Sequence, residues 1–159
     1  MEKAEPAEEH RWLQRLIGDW TVEGRAIPDK PEHRSTGVET VSAYGDYWVV
    51  FDGEARMGGQ EPARSRITLG FDPTRGVFVG SFVSTHMPSF WGYEGRLDEG
   101  GRLLRLACRG PRMDGSPGEA DYEDVIEIVS DDERKLRSTV RGADGQWSEF
   151  MVATYRRKT

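Results

Sequence analysis

Tight-turn signals recur along the chain after Gly18 and constrain its fold more than any other feature. Residues 72–76 read Asp-Pro-Thr-Arg-Gly, with proline where a type I turn needs its fixed φ and glycine where a left-handed residue closes a bulged hairpin. Residues 98–101, 130–133 and 142–145 also suit hairpins. Tight turns join antiparallel neighbours, because a parallel crossover needs a much longer connection. The turn spacing therefore predicts a meander of about ten strands.

The predicted meander favours a closed barrel over an open sheet. An open sheet would leave two hydrogen-bonding edges exposed, and closure removes both. A two-sheet sandwich is the alternative. The composition of Trp 5, Tyr 5 and Phe 6 supplies large apolar surfaces for a core. We therefore expect an all-β fold with one domain over residues 1–159, in which a closed antiparallel up-and-down barrel spans residues 19–157.

One segment before the strands has helical periodicity. Trp12, Leu13, Leu16 and Ile17 follow one another at spacings typical of a helix face, and charged residues occupy most of the opposite side. This pattern predicts a short N-terminal helix over residues 7–17 that ends at Gly18.

Apolar and polar residues alternate within several predicted strands, and the alternation predicts which side chains face the barrel interior. Tyr122 and Ile126 share one face of their strand. By the same reasoning, Trp147, Met151 and Tyr155 are expected on the inner face of the last strand.

Three carboxylates lie among apolar neighbours in these strands: Glu39, Asp124 and Glu149. The pattern leaves open which of them point inward, since a one-residue change of register reverses every assignment. A buried carboxylate either pairs with a base, for which Arg96 and Arg105 are candidates, or stays neutral and can donate a proton.

The charge balance and the cysteine content exclude several classes of protein. The 22 basic and 28 acidic residues give a net charge of −6, which disfavours a nucleic-acid partner. The lone Cys108 excludes an internal disulfide and permits a reducing compartment. The sequence shows neither a signal peptide nor a membrane-spanning run, so we expect no membrane partner and a cytoplasmic location. A homodimer remains open.

The stretch Gly18-Asp19-Trp20, directly after the predicted helix, resembles the Gly-x-Trp signature of lipocalins and other calycins. The resemblance implies that the helix closes one end of a calycin-like barrel. It also implies that a basic residue of the final strand, Arg156 or Arg157, lies across Trp20 in a cation–π contact.

More specifically, the chain resembles the bacterial domain-of-unknown-function family 1579, whose members are small calycin-like barrels. The resemblance rests on residues 10–13, 16–20, 69–73, 93–95, 124–127 and 144–157. The family implies a fold and no activity. His86 departs from the pattern, since relatives are expected to have an apolar residue there.

The motifs of common cofactor and catalytic sites are missing. The sequence contains no glycine-rich phosphate loop, no Gly-x-Ser-x-Gly, no His-Glu-x-x-His and no Cys-x-x-Cys. Calycin barrels that bind haem place the histidine ligand near the final strand, where this chain has none. We therefore expect neither a metal nor a cofactor.

A barrel of this size can enclose a ligand cavity, and the strands contain many aromatic residues. We predict that the barrel binds a small, mostly apolar or aromatic molecule, with His86 as a polar anchor at its mouth. The predicted lining residues are Phe82, Ser84, His86, Met87, Trp91, Tyr93, Tyr122 and Met151. Two alternatives remain: a cavity enzyme, such as a cyclase or isomerase of a hydrophobic metabolite, and a filled barrel that acts as an interaction module.

Overall fold

The computed structural model describes residues 1–159 and shows a closed barrel of antiparallel strands. The strands are β1 (Gly18–Ala26), β2 (Arg34–Tyr44), β3 (Trp48–Met57), β4 (Ala63–Asp72), β5 (Val77–Ser84), β6 (Met87–Leu97), β7 (Leu103–Pro111), β8 (Glu119–Ser130), β9 (Glu133–Arg141) and β10 (Trp147–Arg157). Strands adjacent in sequence pair with one another, and β10 pairs with β1 to close the barrel. The predicted fold class is confirmed.

The N-terminal helix α1 (Glu8–Gln14) is shorter than the predicted 7–17. It ends early because the N–H groups of residues 15–17 donate to carbonyls three positions back, which tightens the chain into a turn before Gly18. Trp12, Leu13 and Leu16 are buried in the main core. The Trp12 Nε1 donates to the carbonyl of Gly101, 2.6 Å away, and anchors the helix to the β6–β7 turn. No helix in the structure has the length and apolar character needed to cross a membrane.

Trp20 is buried at the helix-capped end and contacts the closing strand. Arg157, rather than Arg156, lies over its ring, with the guanidinium carbon 4.3 Å from the ring centroid. Arg157 also donates to the carbonyls of Ile17 and Arg15, at 2.7 and 3.1 Å. Arg156 points to the outer surface, because alternation along β10 sends successive side chains to opposite faces.

A buried ion pair crosses the interior near Trp20. Arg134 of β9 donates to the carboxylate of Glu39 on β2, and their side chains are 3% and 6% exposed. Neither Arg96 nor Arg105 partners an inward carboxylate; Arg105 pairs with Glu123 on the outer surface.

A β-bulge in β10 changes the predicted inner face of that strand. The pairing with β9 shifts between Glu149 and Met151 and leaves Phe150 as the extra residue. Met151 and Tyr155 follow the bulge and face inward as predicted. Trp147 precedes it and is 50% exposed, so its predicted inward position is wrong. Glu149 faces outward and pairs with Arg137 at 3.1 Å.

The buried ion pair yields a stability prediction. Arg134→Met should lower the free energy of unfolding by about 3–5 kcal/mol, since it leaves the Glu39 carboxylate buried without a counter-ion. Glu39→Leu combined with Arg134→Met should recover most of that loss, because both charges are then absent. Urea unfolding of the two variants measures this difference. A double variant as unstable as Arg134→Met would show that the charge of Glu39 is not the cause.

Candidate functional site

The barrel interior has a filled half and a hollow half. Toward α1, the interior is packed by large side chains such as Trp20, Phe51 and Phe78, each of which is at most 2% exposed. Toward the opposite end lies a cavity of about 220 Å³, which we call the inner cavity. The large apolar cavity therefore lies in the half of the barrel away from the helix.

The inner cavity is predominantly apolar: 11 of its 13 lining residues are hydrophobic. All but one come from β4 to β10, because inward-facing positions of these strands converge at this level of the barrel; Met113 lies on the loop after β7. The lining residues are Ile67, Phe82, Met87, Trp91, Tyr93, Cys108, Met113, Tyr122, Asp124, Leu136, Ser138, Phe150 and Met151.

Three aromatic rings form one wall of the inner cavity. Trp91 and Tyr122 meet edge to face, with ring centroids 5.0 Å apart, and Tyr122 and Phe150 do the same at 6.0 Å. The Tyr122 hydroxyl donates to the carbonyl of Pro111 at 2.6 Å, which fixes the central ring. Gly110 lies directly under Trp91, and a β-carbon there would collide with the indole. The wall is thus held in place by stacking, a hydrogen bond and a close backbone approach.

Asp124 and Ser138 are the two polar exceptions in the lining. The Asp124 carboxylate accepts hydrogen bonds from the Tyr93 hydroxyl at 2.5 Å and from the Ser138 hydroxyl at 2.6 Å. Burial raises the pKa of Asp124, and the hydrogen bonds from Ser138 and Tyr93 oppose that rise. The cavity therefore contains one carboxyl group within an otherwise apolar lining.

The other ionisable groups of the lining keep their protons at neutral pH. Burial, with a further contribution from the Asp124 charge, raises the pKa of Tyr93 well above its ordinary value. The same two causes raise the pKa of the Cys108 thiol to about 12, so it is not a reactive thiolate. No group of three or more His, Cys, Asp or Glu side chains is arranged to hold a metal ion.

The structure brings most of the predicted lining residues together and separates two from them. Those that line the inner cavity are Phe82, Met87, Trp91, Tyr93, Tyr122 and Met151. Ser84 and His86 do not line it. The β5–β6 pairing shifts between Phe82 and Ser84, and Ser84 then pairs with Met87 across a turn that has His86 at its tip. His86 is exposed there, and its backbone N–H donates to the Ser84 hydroxyl at 3.2 Å.

Several lining residues were not predicted from the sequence. The alternation of their strands is consistent with interior positions for three of them: Ile67, Cys108 and Leu136. The sequence contains no signal that separates the hollow half of the interior from the filled half. Phe150 faces inward because of the bulge, and Met113 lies on the loop after β7; neither position has a periodic signal.

A second, wider space adjoins the inner cavity at the open end of the barrel. This vestibule, of about 720 Å³, lies between the 112–118 loop and the β9–β10 turn. Met113, Tyr122 and Phe150 line both spaces and so stand between them. The vestibule is therefore separated from the inner cavity by these three side chains.

Another concavity, of about 490 Å³, lies on the outer face of β2 to β5. It is lined mostly by polar and charged groups, including the ion pair between Arg66 and Asp52, and it contains Ser84. This shallow polar groove lacks the enclosure and the apolar lining of the inner cavity, so the inner cavity is the better candidate for a ligand site.

Comparison with known families identifies the chain. The family model described as "Protein of unknown function (DUF1579)" matches residues 5–157. The chain belongs to this family. A search of curated proteins gives no match. Membership agrees with the resemblance of the sequence and assigns no activity to the inner cavity.

Solved structures similar to this DUF1579 member share its fold at low identity. Rv2717c from M. tuberculosis has a TM-score of 0.65 at 15% identity, with 98% of this chain and 100% of that chain covered. The S-type phycobiliprotein lyase CPES from Guillardia theta has a TM-score of 0.56 at 13% identity, with 94% and 92% covered. The barrel EF1p2_mFAP2b bound to DFHBI has a TM-score of 0.53 at 13% identity, with 94% and 99% covered. These likenesses concern the barrel architecture.

The raised pKa of Asp124 predicts how stability depends on pH. The folded protein holds this proton more tightly than the unfolded chain, so the contribution of Asp124 to the unfolding free energy falls as pH rises from about 3.8 through the folded-state pKa. Asp124→Asn removes that contribution. The melting temperature of Asp124→Asn, relative to wild type, should therefore rise with pH across this window and then level off.

Melting curves between pH 3.5 and pH 8, a range chosen around ordinary carboxyl pKa values, test this expectation. Asp114→Asn is the control, because hydrogen bonds from Ser116 lower the pKa of the exposed Asp114. The contribution of Asp114 to the unfolding free energy therefore changes with pH in the opposite direction. Parallel profiles for wild type and Asp124→Asn would contradict a pKa of Asp124 that is higher in the folded protein than in the unfolded chain.

Proposed function

We propose that the protein binds a small, mostly apolar or aromatic organic molecule in the inner cavity. The observation that carries the proposal is the enclosed volume of about 220 Å³ with a nearly complete hydrophobic lining. An apolar molecule gains free energy by leaving water for such a space, because most of the lining offers water no hydrogen-bond partner.

The size and shape of the inner cavity support a compact ligand. An engineered apolar cavity of about 150 Å³ binds benzene, so the present volume suits a molecule of one or two rings. The edge-to-face wall of Trp91, Tyr122 and Phe150 presents ring surfaces against which a flat ligand can stack. Longer ligands would extend past Met113 into the vestibule.

The open interior argues against the filled interaction module. The enzyme alternative requires an acid–base group within reach of the ligand. His86 lies outside the cavity and is poorly placed for that role, so Asp124, with Tyr93 beside it, is the group on which such chemistry would depend. A binding protein without turnover is the simpler function, because one hydrogen-bonded carboxyl group supplies no separate acid and base.

Filling the cavity should abolish binding. Cys108→Phe places a phenyl ring in the space that the ligand would occupy, and the existing volume lets the ring enter without large overpacking. We expect wild type to bind fluorobenzene, followed by fluorine NMR, and Cys108→Phe to lose at least about tenfold in affinity, the equivalent of about 1.4 kcal/mol.

His86→Met is the matched control, since the turn that carries it lies outside the cavity. Its affinity for fluorobenzene should equal that of wild type. Absence of fluorobenzene binding by wild type, or equal binding by Cys108→Phe, would refute the inner cavity as the ligand site.

A further inference from the structure

The hydrogen-bond donors of the inner cavity are already engaged. The Tyr93 and Ser138 hydroxyls both donate to Asp124. The Trp91 Nε1 points to the sulfur of Met87 at 3.2 Å. Together with the Tyr122 hydroxyl, which donates to a backbone carbonyl, these are the N–H and O–H groups that the lining side chains provide. A ligand therefore meets no free N–H or O–H donor on the wall.

Asp124, by contrast, can accept further hydrogen bonds. An ionised carboxylate has about four lone-pair positions, and the two hydroxyls occupy two of them. Tyr93 remains protonated because burial and the neighbouring Asp124 raise its pKa, so it serves as a lasting donor to the carboxylate. The remaining lone pairs of Asp124 are the strong acceptor positions that a ligand in the cavity can reach.

The two inward carboxylates of the barrel differ in one respect that matters for a ligand. Glu39 has a basic partner in Arg134, whereas Asp124 forms no ion pair, and no Arg, Lys or His lines the inner cavity. A carboxylate held in an apolar space without a counter-ion is costly, and a cationic N–H group offsets that cost. The barrel interior thus contains one carboxylate with a basic partner, Glu39, and one without, Asp124.

We propose that the ligand of the inner cavity is an aromatic molecule that carries N–H donors, with a positively charged amidine or protonated aromatic amine as the best fit, and that Asp124 accepts its hydrogen bond. This inference rests on the proposed function and adds the chemistry of the ligand to it. The aromatic wall takes the ring, and the carboxylate at the polar position of the lining takes the N–H group. Acidic ligands are excluded by the charge of Asp124.

Three probes with a common phenyl ring test the proposal: benzamidine, fluorobenzene and benzoate. Benzamidine should bind wild type at least about tenfold more tightly than fluorobenzene, and benzoate should not bind. Asp124→Asn should weaken benzamidine about tenfold to a hundredfold, as expected for the loss of a charged hydrogen-bond partner. Fluorobenzene should change by less than about twofold, because its contacts are with the apolar lining.

Asp121→Asn is the matched control for Asp124→Asn. It makes the same substitution on the same strand, but Asp121 pairs with Arg109 outside the inner cavity, so the preference for benzamidine over fluorobenzene should persist. Thermal melting verifies that each variant folds. If a variant fails to fold, the relative affinities of the three probes for wild type still test the proposal.

The outcomes separate the two proposals. Fluorobenzene binding that equals or exceeds benzamidine binding on wild type would overturn the N–H inference and leave the apolar ligand site standing. Equal benzamidine affinity for wild type and Asp124→Asn would overturn it as well. Failure of fluorobenzene to bind wild type would overturn the proposed function and, with it, the inference.

Discussion

The guanidinium of Arg134 joins five strands at the centre of the filled half of the barrel. From β9 it pairs with Glu39 on β2 and lies over the rings of Tyr155, Trp20 and Phe51, at 3.9, 4.8 and 5.5 Å from their centroids. Its Nε has no hydrogen-bond partner. The aromatic faces of β10, β1 and β3 therefore offset a desolvation cost that the ion pair alone does not fully cover.

This cluster divides the interior. On the side of α1, rings and aliphatic side chains pack around Arg134. Trp20 contacts two guanidinium groups there, those of Arg134 and Arg157. On the far side, the small and polar residues Ser138 and Asp124, with Cys108, stand where a filled barrel would have large apolar ones. The end of the barrel near α1 thus contains the ion pair of Arg134 with Glu39. The other end is hollow and contains Asp124, a carboxyl group without a basic partner.

The sequence was sufficient for the architecture because turn chemistry and strand alternation are local. The same alternation correctly aligned Tyr122 with Ile126, and it left Asp124 on their face. It misled at Trp147, because a bulge at Phe150 has no sequence signature, and at Ser84 and His86, because a register shift and a turn remove them from the inner face. Arg134 lacked any local signal: in β2 the exposed Val38 and the buried Glu39 reverse the usual pattern, and their arrangement follows from partners far away in sequence.

The central claim is that the half of the barrel away from α1 is hollow, apolar and able to admit a small molecule. A crystal structure determined under xenon pressure tests it most directly, because xenon enters dry apolar cavities that are large enough for it. The account predicts a xenon atom in the inner cavity, among Cys108, Leu136 and Phe150, with Trp91 and Tyr122 in their present positions. Side chains collapsed into that space, with no xenon between them, would contradict it.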